Sequence, residues 1–141
     1  MTSLRGQCLC GDVALIAQGE ITEADACHCG MCRRQNAGGA FHAAHFDGGI
    51  ELKGDSVTWY AGSDHAERAF CNKCGSTLAW RLKTMPEMAS ASLGLFDEAP
   101  GKVGSRIFVE DAGNYVGLPT DVPHKTGSQV LQEFMERQSQ S

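Results

Sequence analysis

Seven cysteines in 141 residues, gathered into three close-spaced groups, constrain this chain more than any other feature. The groups are Cys8-Leu9-Cys10-Gly11, Cys27-His28-Cys29-Gly30-Met31-Cys32 and Cys71-Asn72-Lys73-Cys74-Gly75. An odd number of thiols cannot all pair within one chain. The first six residues hold no apolar signal core, and no stretch approaches the roughly 20 apolar residues of a membrane-crossing helix. The chain is therefore expected in the cytoplasm, where disulfides are rare, and metal binding is the natural use of so many thiols.

The close spacings let neighbouring thiolates reach one ion without a long loop-closure penalty. The first and third groups each end in Cys-Gly and lead into a strand-like segment. A glycine after the second ligand lets the backbone turn with φ > 0 and aim amide N–H groups at the sulfurs. Two such knuckles facing each other make a four-cysteine zinc site from Cys8, Cys10, Cys71 and Cys74. With four thiolates and no vacant position its role is structural, and such an ion supplies on the order of 10 kcal/mol to a small fold.

Cys27, Cys29 and Cys32 are left as a second, three-thiolate group, followed by Arg33 and Arg34 rather than glycine. Three protein ligands plus one open position is the arrangement of catalytic zinc. Three thiolates donate so much charge that a bound water is poorly activated, so hydrolysis is disfavoured. An incoming thiol suits the soft, sulfur-rich ion, and the chemistry that fits is making or breaking a sulfur–carbon bond. Arg33 and Arg34 are candidates to hold a substrate carboxylate or to offset thiolate charge, and solvated arginines are the plainer alternative.

Two other readings stay open: a second structural zinc completed by a histidine, and a disulfide or free thiols. His28, His42, His45, His65 and His124 are the nominal fourth ligands. His28 lies between two ligands and is expected to point away from the ion. His42 and His45 stand an odd number of positions apart on a strand, so they face opposite ways.

The rest of the chain reads as short strands joined by turns, with 17 glycines and few helical periods. Strand-like segments fall at residues 12–17, 41–46, 50–53, 57–60, 68–71, 77–81, 89–95 and 106–109. Residues 27–36 suggest a short helical turn. Gly54-Asp55-Ser56 reads as a hairpin turn between residues 50–53 and 57–60. Trp59, Tyr60 and Trp80 are expected in the core or on a sheet face.

Residues 1–125 form one expected zinc-binding domain and 126–141 a helical tail. In that tail Val130, Leu131, Phe134 and Met135 recur at helical spacing, with Thr126 or Ser128 as cap. The helix is expected to pack on the domain, with a homodimer contact or a mobile tail as alternatives. The formal net charge of −5, with no basic tract, leaves no footprint for nucleic acid or an anionic membrane.

The ordered motifs C-x-C-G, C-H-C-x-x-C-R and F-C-x-x-C-G-S, the last spanning Phe70 to Ser76, resemble the glutathione-dependent formaldehyde-activating enzyme family, which includes centromere protein V. Gly38 to Phe41, Gly54-Asp55-Ser56 leading to Tyr60, and residues 106–109 extend the likeness over roughly residues 5–120. The resemblance implies a mainly β, β-tent fold, with mostly antiparallel strands in stacked sheets pinned by zinc. It implies Cys8, Cys10, Cys71 and Cys74 as structural ligands and Cys27, Cys29 and Cys32 as the catalytic set, two zinc ions in all. The activity it implies is that of a carbon–sulfur lyase joining formaldehyde to glutathione. The alternative from a different class is a non-catalytic zinc-stabilised module that binds a partner or senses metal or redox state.

Overall fold

The structure, a computed structural model, describes residues 2–98, 100–117 and 120–140. Met1, Ala99, Leu118, Pro119 and Ser141, which fall within the two expected segments, lie outside the described residues. The fold is mainly β, with ten strands and two helices among those residues. The strands are β1 (Ser3–Gln7), β2 (Ala14–Gln18), β3 (Ile21–Cys27), β4 (Phe41–Phe46), β5 (Ile50–Lys53), β6 (Val57–Tyr60), β7 (Ala66–Cys71), β8 (Thr77–Leu82), β9 (Ser90–Ser92) and β10 (Ser105–Ile107). Helix α1 (Gly30–Gln35) follows β3, and α2 (Gly127–Ser139) ends the chain.

Two sheets carry the strands. One has the order β1-β2-β5, the other β10-β3-β4-β9-β8-β7-β6. All pairs are antiparallel except β10 with β3, where Ser105, Arg106 and Ile107 run parallel to Asp25, Ala26 and Cys27. Between the sheets lies the main core, built from Val13, Leu15 and Ala17 against Ala44, Phe46, Ala69, Leu78, Ala91, Leu93 and Leu95. Strand β4 shows why the sheet has two working faces. Ala44 and Phe46 point into the main core, while Phe41, Ala43 and His45 line a cavity on the opposite side. This is the period-two alternation of a pleated strand.

Three expectations need correction. Residues 50–53 and 57–60 do not form a hairpin: β5 pairs with β2 in the small sheet, and β6 pairs with β7 in the large one. The turn at Gly54-Asp55-Ser56 is real, but it hands the chain from one sheet to the other. Gly54 takes φ +144 there. Ser56 is buried, with its hydroxyl on the Asp12 carboxylate and its carbonyl accepting from the Asn72 N–H.

The segments at 89–95 and 106–109 are shorter strands than expected. Each ends in a 3-10 turn, at Leu93–Leu95 and Val109–Asp111.

The tail helix forms but does not pack on the domain. Val130, Leu131, Phe134 and Met135 are between 50% and 69% exposed. A capping box holds its start: Thr126 Oγ1 accepts from the Gln129 N–H, and Gln129 Oε1 accepts from the Thr126 N–H. Local capping and the Lys125–Glu133 ion pair at 2.8 Å, rather than core burial, define this helix.

Trp59 is on a sheet face, half-buried under the Arg81 guanidinium at 3.6 Å, and Arg81 also pairs with Glu67 at 2.7 Å. Trp80 packs behind the second cysteine group, and Tyr60 is largely exposed.

Candidate functional site

The turn after β1 carries Cys8 and Cys10, and Cys71 closes β7 with Cys74 in the turn beyond it. The four sulfurs lie within 4.8 Å of one another. Gly11 and Gly75 follow the two knuckles at φ +81 and φ +80, the left-handed turn that glycine takes without a Cβ penalty. Cys8 and Cys10 are 3.6 Å apart and Cys10 and Cys71 3.8 Å. A tetrahedron with Zn–S of roughly 2.3 Å requires sulfurs about 3.8 Å apart, so spacing and donor softness both fit zinc.

The N–H of Val13 donates to Cys8 Sγ at 3.3 Å. Ser76 Oγ lies 3.2 Å from Cys74 Sγ and accepts from the Leu9 N–H at 3.0 Å, tying one knuckle to the other. The Ser76 hydroxyl and N–H bring Cys74 down to about 5. The Asp12 N–H favours the Cys10 thiolate, but burial and the neighbouring sulfurs outweigh it and push Cys10 up to about 12. A full set of thiolates this close together calls for a cation between them.

Cys27, Cys29 and Cys32 form the other group, again with sulfurs within 4.8 Å of each other. Cys27 closes β3. Cys29 is the N-cap of α1, its sulfur accepting from the Cys32 N–H at 3.4 Å. Cys32 lies inside α1, buried against Phe41 and Ala43. Burial pushes Cys27 up to about 12. Burial also raises Cys32, opposed by the guanidinium of Arg68.

Arg68, only 6% exposed, donates from Nη1 to Cys32 Sγ at 3.3 Å and to Gln35 Oε1 at 3.2 Å. No other cation donates to this thiol group among the described residues, and sequence reasoning missed it.

The trio opens into a cavity of about 460 Å³, lined also by Glu23, Asp25, His45, His65, Trp80 and Phe108. His45 is the strand histidine that faces this cavity, and His42 faces away into a shallow depression with His28. His28 is buried and turned from the sulfurs, its Nε2 accepting from Arg106 Nε at 3.1 Å. His124 lies beside α2.

Neither of the two expected carboxylate grips lines the thiol cavity. Arg33 Nη1 donates to the Asp111 carbonyl at 2.9 Å. Arg34 Nη1 donates to the Gly30 carbonyl at 3.1 Å, and its side chain lines a neighbouring cleft of about 540 Å³ with Gln35, Tyr60 and Phe70. Met31 and Arg68 line both spaces, so cleft and cavity adjoin.

Residues 3–111, which hold all seven cysteines, match the family model described as glutathione-dependent formaldehyde-activating enzyme. The chain belongs to that family. Among curated proteins, an uncharacterized lyase of Schizosaccharomyces pombe is 33% identical over 78 residues. The match covers 55% of this chain and 57% of the yeast protein, so the chain spans little more than half of that relative's length. A crystal structure of a Rhodobacter sphaeroides protein superposes with a TM-score of 0.56 at 22% identity, covering 73% of this chain and 99% of that one. That likeness concerns the fold alone. The match to the formaldehyde-activating family ends at 111, before α2 begins.

Proposed function

We propose that this chain is a zinc-dependent enzyme of the carbon–sulfur lyase type that acts on the adduct of a thiol with an aldehyde, with glutathione as the thiol. The observation that carries this is the thiol trio: three sulfurs from one β-strand end and one helix start, facing a cavity that can admit a substrate. Cys8, Cys10, Cys71 and Cys74 would hold a structural zinc and Cys27, Cys29 and Cys32 a second one. A zinc ion held by Cys27, Cys29 and Cys32 would supply a soft Lewis acid that favours the thiolate form of an incoming thiol.

The chain's own groups do the rest. Arg68 sets a positive charge against Cys32 and fixes α1 through Gln35. Joining thiol and aldehyde breaks an S–H bond, forms an S–C bond and leaves the carbonyl electron pair on oxygen, which takes up a proton. His45, which lines the cavity, would carry that proton. Arg34, which lines the adjoining cleft, would meet a carboxylate of the thiol.

Titrating glutathione into zinc-loaded protein, wild type and Cys32→Ser, tests this. Saturable binding that raises thermal stability, lost in the variant, together with thiol-dependent aldehyde consumption by NMR, is the expected result. Absence of both binding and turnover across a panel of aldehydes removes the enzyme reading. The open apolar face of α2 favours the second reading, a zinc-stabilised binding module with Val130 to Met135 as its contact. Two ions inert to added thiol would favour that one.

A further inference from the structure

The cavity in front of the thiol trio is larger and more apolar than a one-carbon carbonyl requires. Its volume of about 460 Å³ falls in the range of roughly 300–1,000 Å³ that encloses drug-sized ligands. Phe41, Trp80, Leu82 and Ile107 supply its walls.

Phe108 stands at the rim, 52% exposed, at φ +54. A bulky L-residue holds that left-handed conformation only where its surroundings impose it, and an aromatic ring left largely in water by such a constraint is a ring presented to something.

The charges of the cavity point the same way. Arg33 is turned to Asp111 and Arg34 to the adjoining cleft. Arg68 is engaged by Cys32 and Gln35. Glu23 and Asp25 line the cavity itself. A substrate group entering here also meets His45 and His65, but no cation in the lining is left without an acceptor, so the two carboxylates disfavour an anionic group and the apolar walls accept an uncharged one.

We infer that the aldehyde-derived part of the adduct is an apolar group of aromatic size, seated between Trp80, Leu82 and Phe108, rather than a single carbon. This rests on the thiol-adduct reading above, which leaves the carboxylates of the thiol to the cleft that holds Arg34.

Two inert thioethers, S-benzylglutathione and S-methylglutathione, share the same peptide and differ only in that group. Titrated calorimetrically into the zinc-loaded full chain, the benzyl compound is expected to bind about tenfold tighter or more. It should also shift tryptophan fluorescence, because Trp80 lines the cavity whereas Trp59 is stacked beneath Arg81. Phe108→Gly, which suits the positive φ, and Leu82→Ala should each narrow the affinity ratio about threefold or more. Equal affinities, a tighter methyl compound, or a ratio unchanged in both variants overturns the inference while leaving the thiol-adduct reading intact. If neither compound binds while glutathione itself does, the inference falls and the thiol reading stands; if glutathione also neither binds nor turns over, both fall.

Discussion

Arg68 and Cys32 meet at 3.3 Å across 36 positions of chain, a buried guanidinium on β7 donating to a buried sulfur on α1. The contact joins the large sheet to the helix that carries part of the thiol trio. It also supplies a positive charge that opposes, without overcoming, the upward push of burial on the Cys32 thiol. Arg68→Met keeps much of the side-chain volume and removes the donor. Zinc affinity at the trio should fall about 10- to 100-fold, the usual effect of losing a group that supports a metal ligand. Arg68→Lys should fall in between, because an ammonium keeps the charge without the guanidinium fork that serves Cys32 and Gln35 together. Competition with a chromophoric chelator reads both.

His28 and Arg106 form a second support on the far side of the same cysteine run. Arg106→Ala leaves the buried Nε2 of His28 without its donor at 3.1 Å, which should destabilise the fold by about 1–3 kcal/mol. Denaturant melts of the metal-loaded protein measure it. An unchanged midpoint would show that water replaces the arginine.

Stripping metal should unfold the four-cysteine end of the sheets. Cys8 and Cys71 are fully buried in the main core, so thiolates left there without the ion lose their charge compensation where water cannot replace it. Loss of a structural zinc removes on the order of 10 kcal/mol. Circular dichroism during chelation should show collapse of the β signal, restored by zinc and not by magnesium.

The tail should report on itself alone. Thr126→Ala breaks the capping box and should lower α2 stability by about 1 kcal/mol, seen as faster amide exchange over Gly127–Ser139, with no change in the melting of the sheets. Acid should act similarly. The hydrogen bond and charge of Lys125 hold Glu133 below the usual carboxylate range. The stabilisation is thus present above the ordinary glutamate pKa and lost as pH falls through the lowered one. Helicity of the tail should decline in that acidic window and recover on return to neutral pH.

The division of the cysteines into four and three was legible because it depends on local chemistry: spacing, and glycine after the second thiol. The strands at 41–46, 68–71 and 77–81 were legible for the same reason, their alternation being visible over a few residues. The partner of β5 was not. Gly54-Asp55-Ser56 specifies a turn, and only the long-range contacts of Ser56 with Asp12 and Asn72 make it a passage between sheets. Strand β1 was missed because Ser3–Gln7 has no apolar alternation; four of its five residues are exposed.

Arg68 escaped because an arginine in a strand reads by default as a solvated residue. Its position two residues from Phe70, on the face opposite Ala69 and Cys71, was the available signal. The apolar stripe of α2 predicted a helix correctly and its burial wrongly, since helical spacing fixes a face but not what covers it.

Metal content with ligand-by-ligand replacement tests the central claim most directly. Protein purified without chelator, wild type, Cys32→Ser and Cys71→Ser, would be analysed by mass spectrometry under native conditions and by elemental analysis. Two zinc equivalents in the folded wild type, loss of one with the fold retained in Cys32→Ser, and loss of the fold in Cys71→Ser are the predicted results. A single equivalent in the wild type, or a Cys32→Ser protein that keeps both ions and its thiol binding, would contradict the division into a structural quartet and a reactive trio.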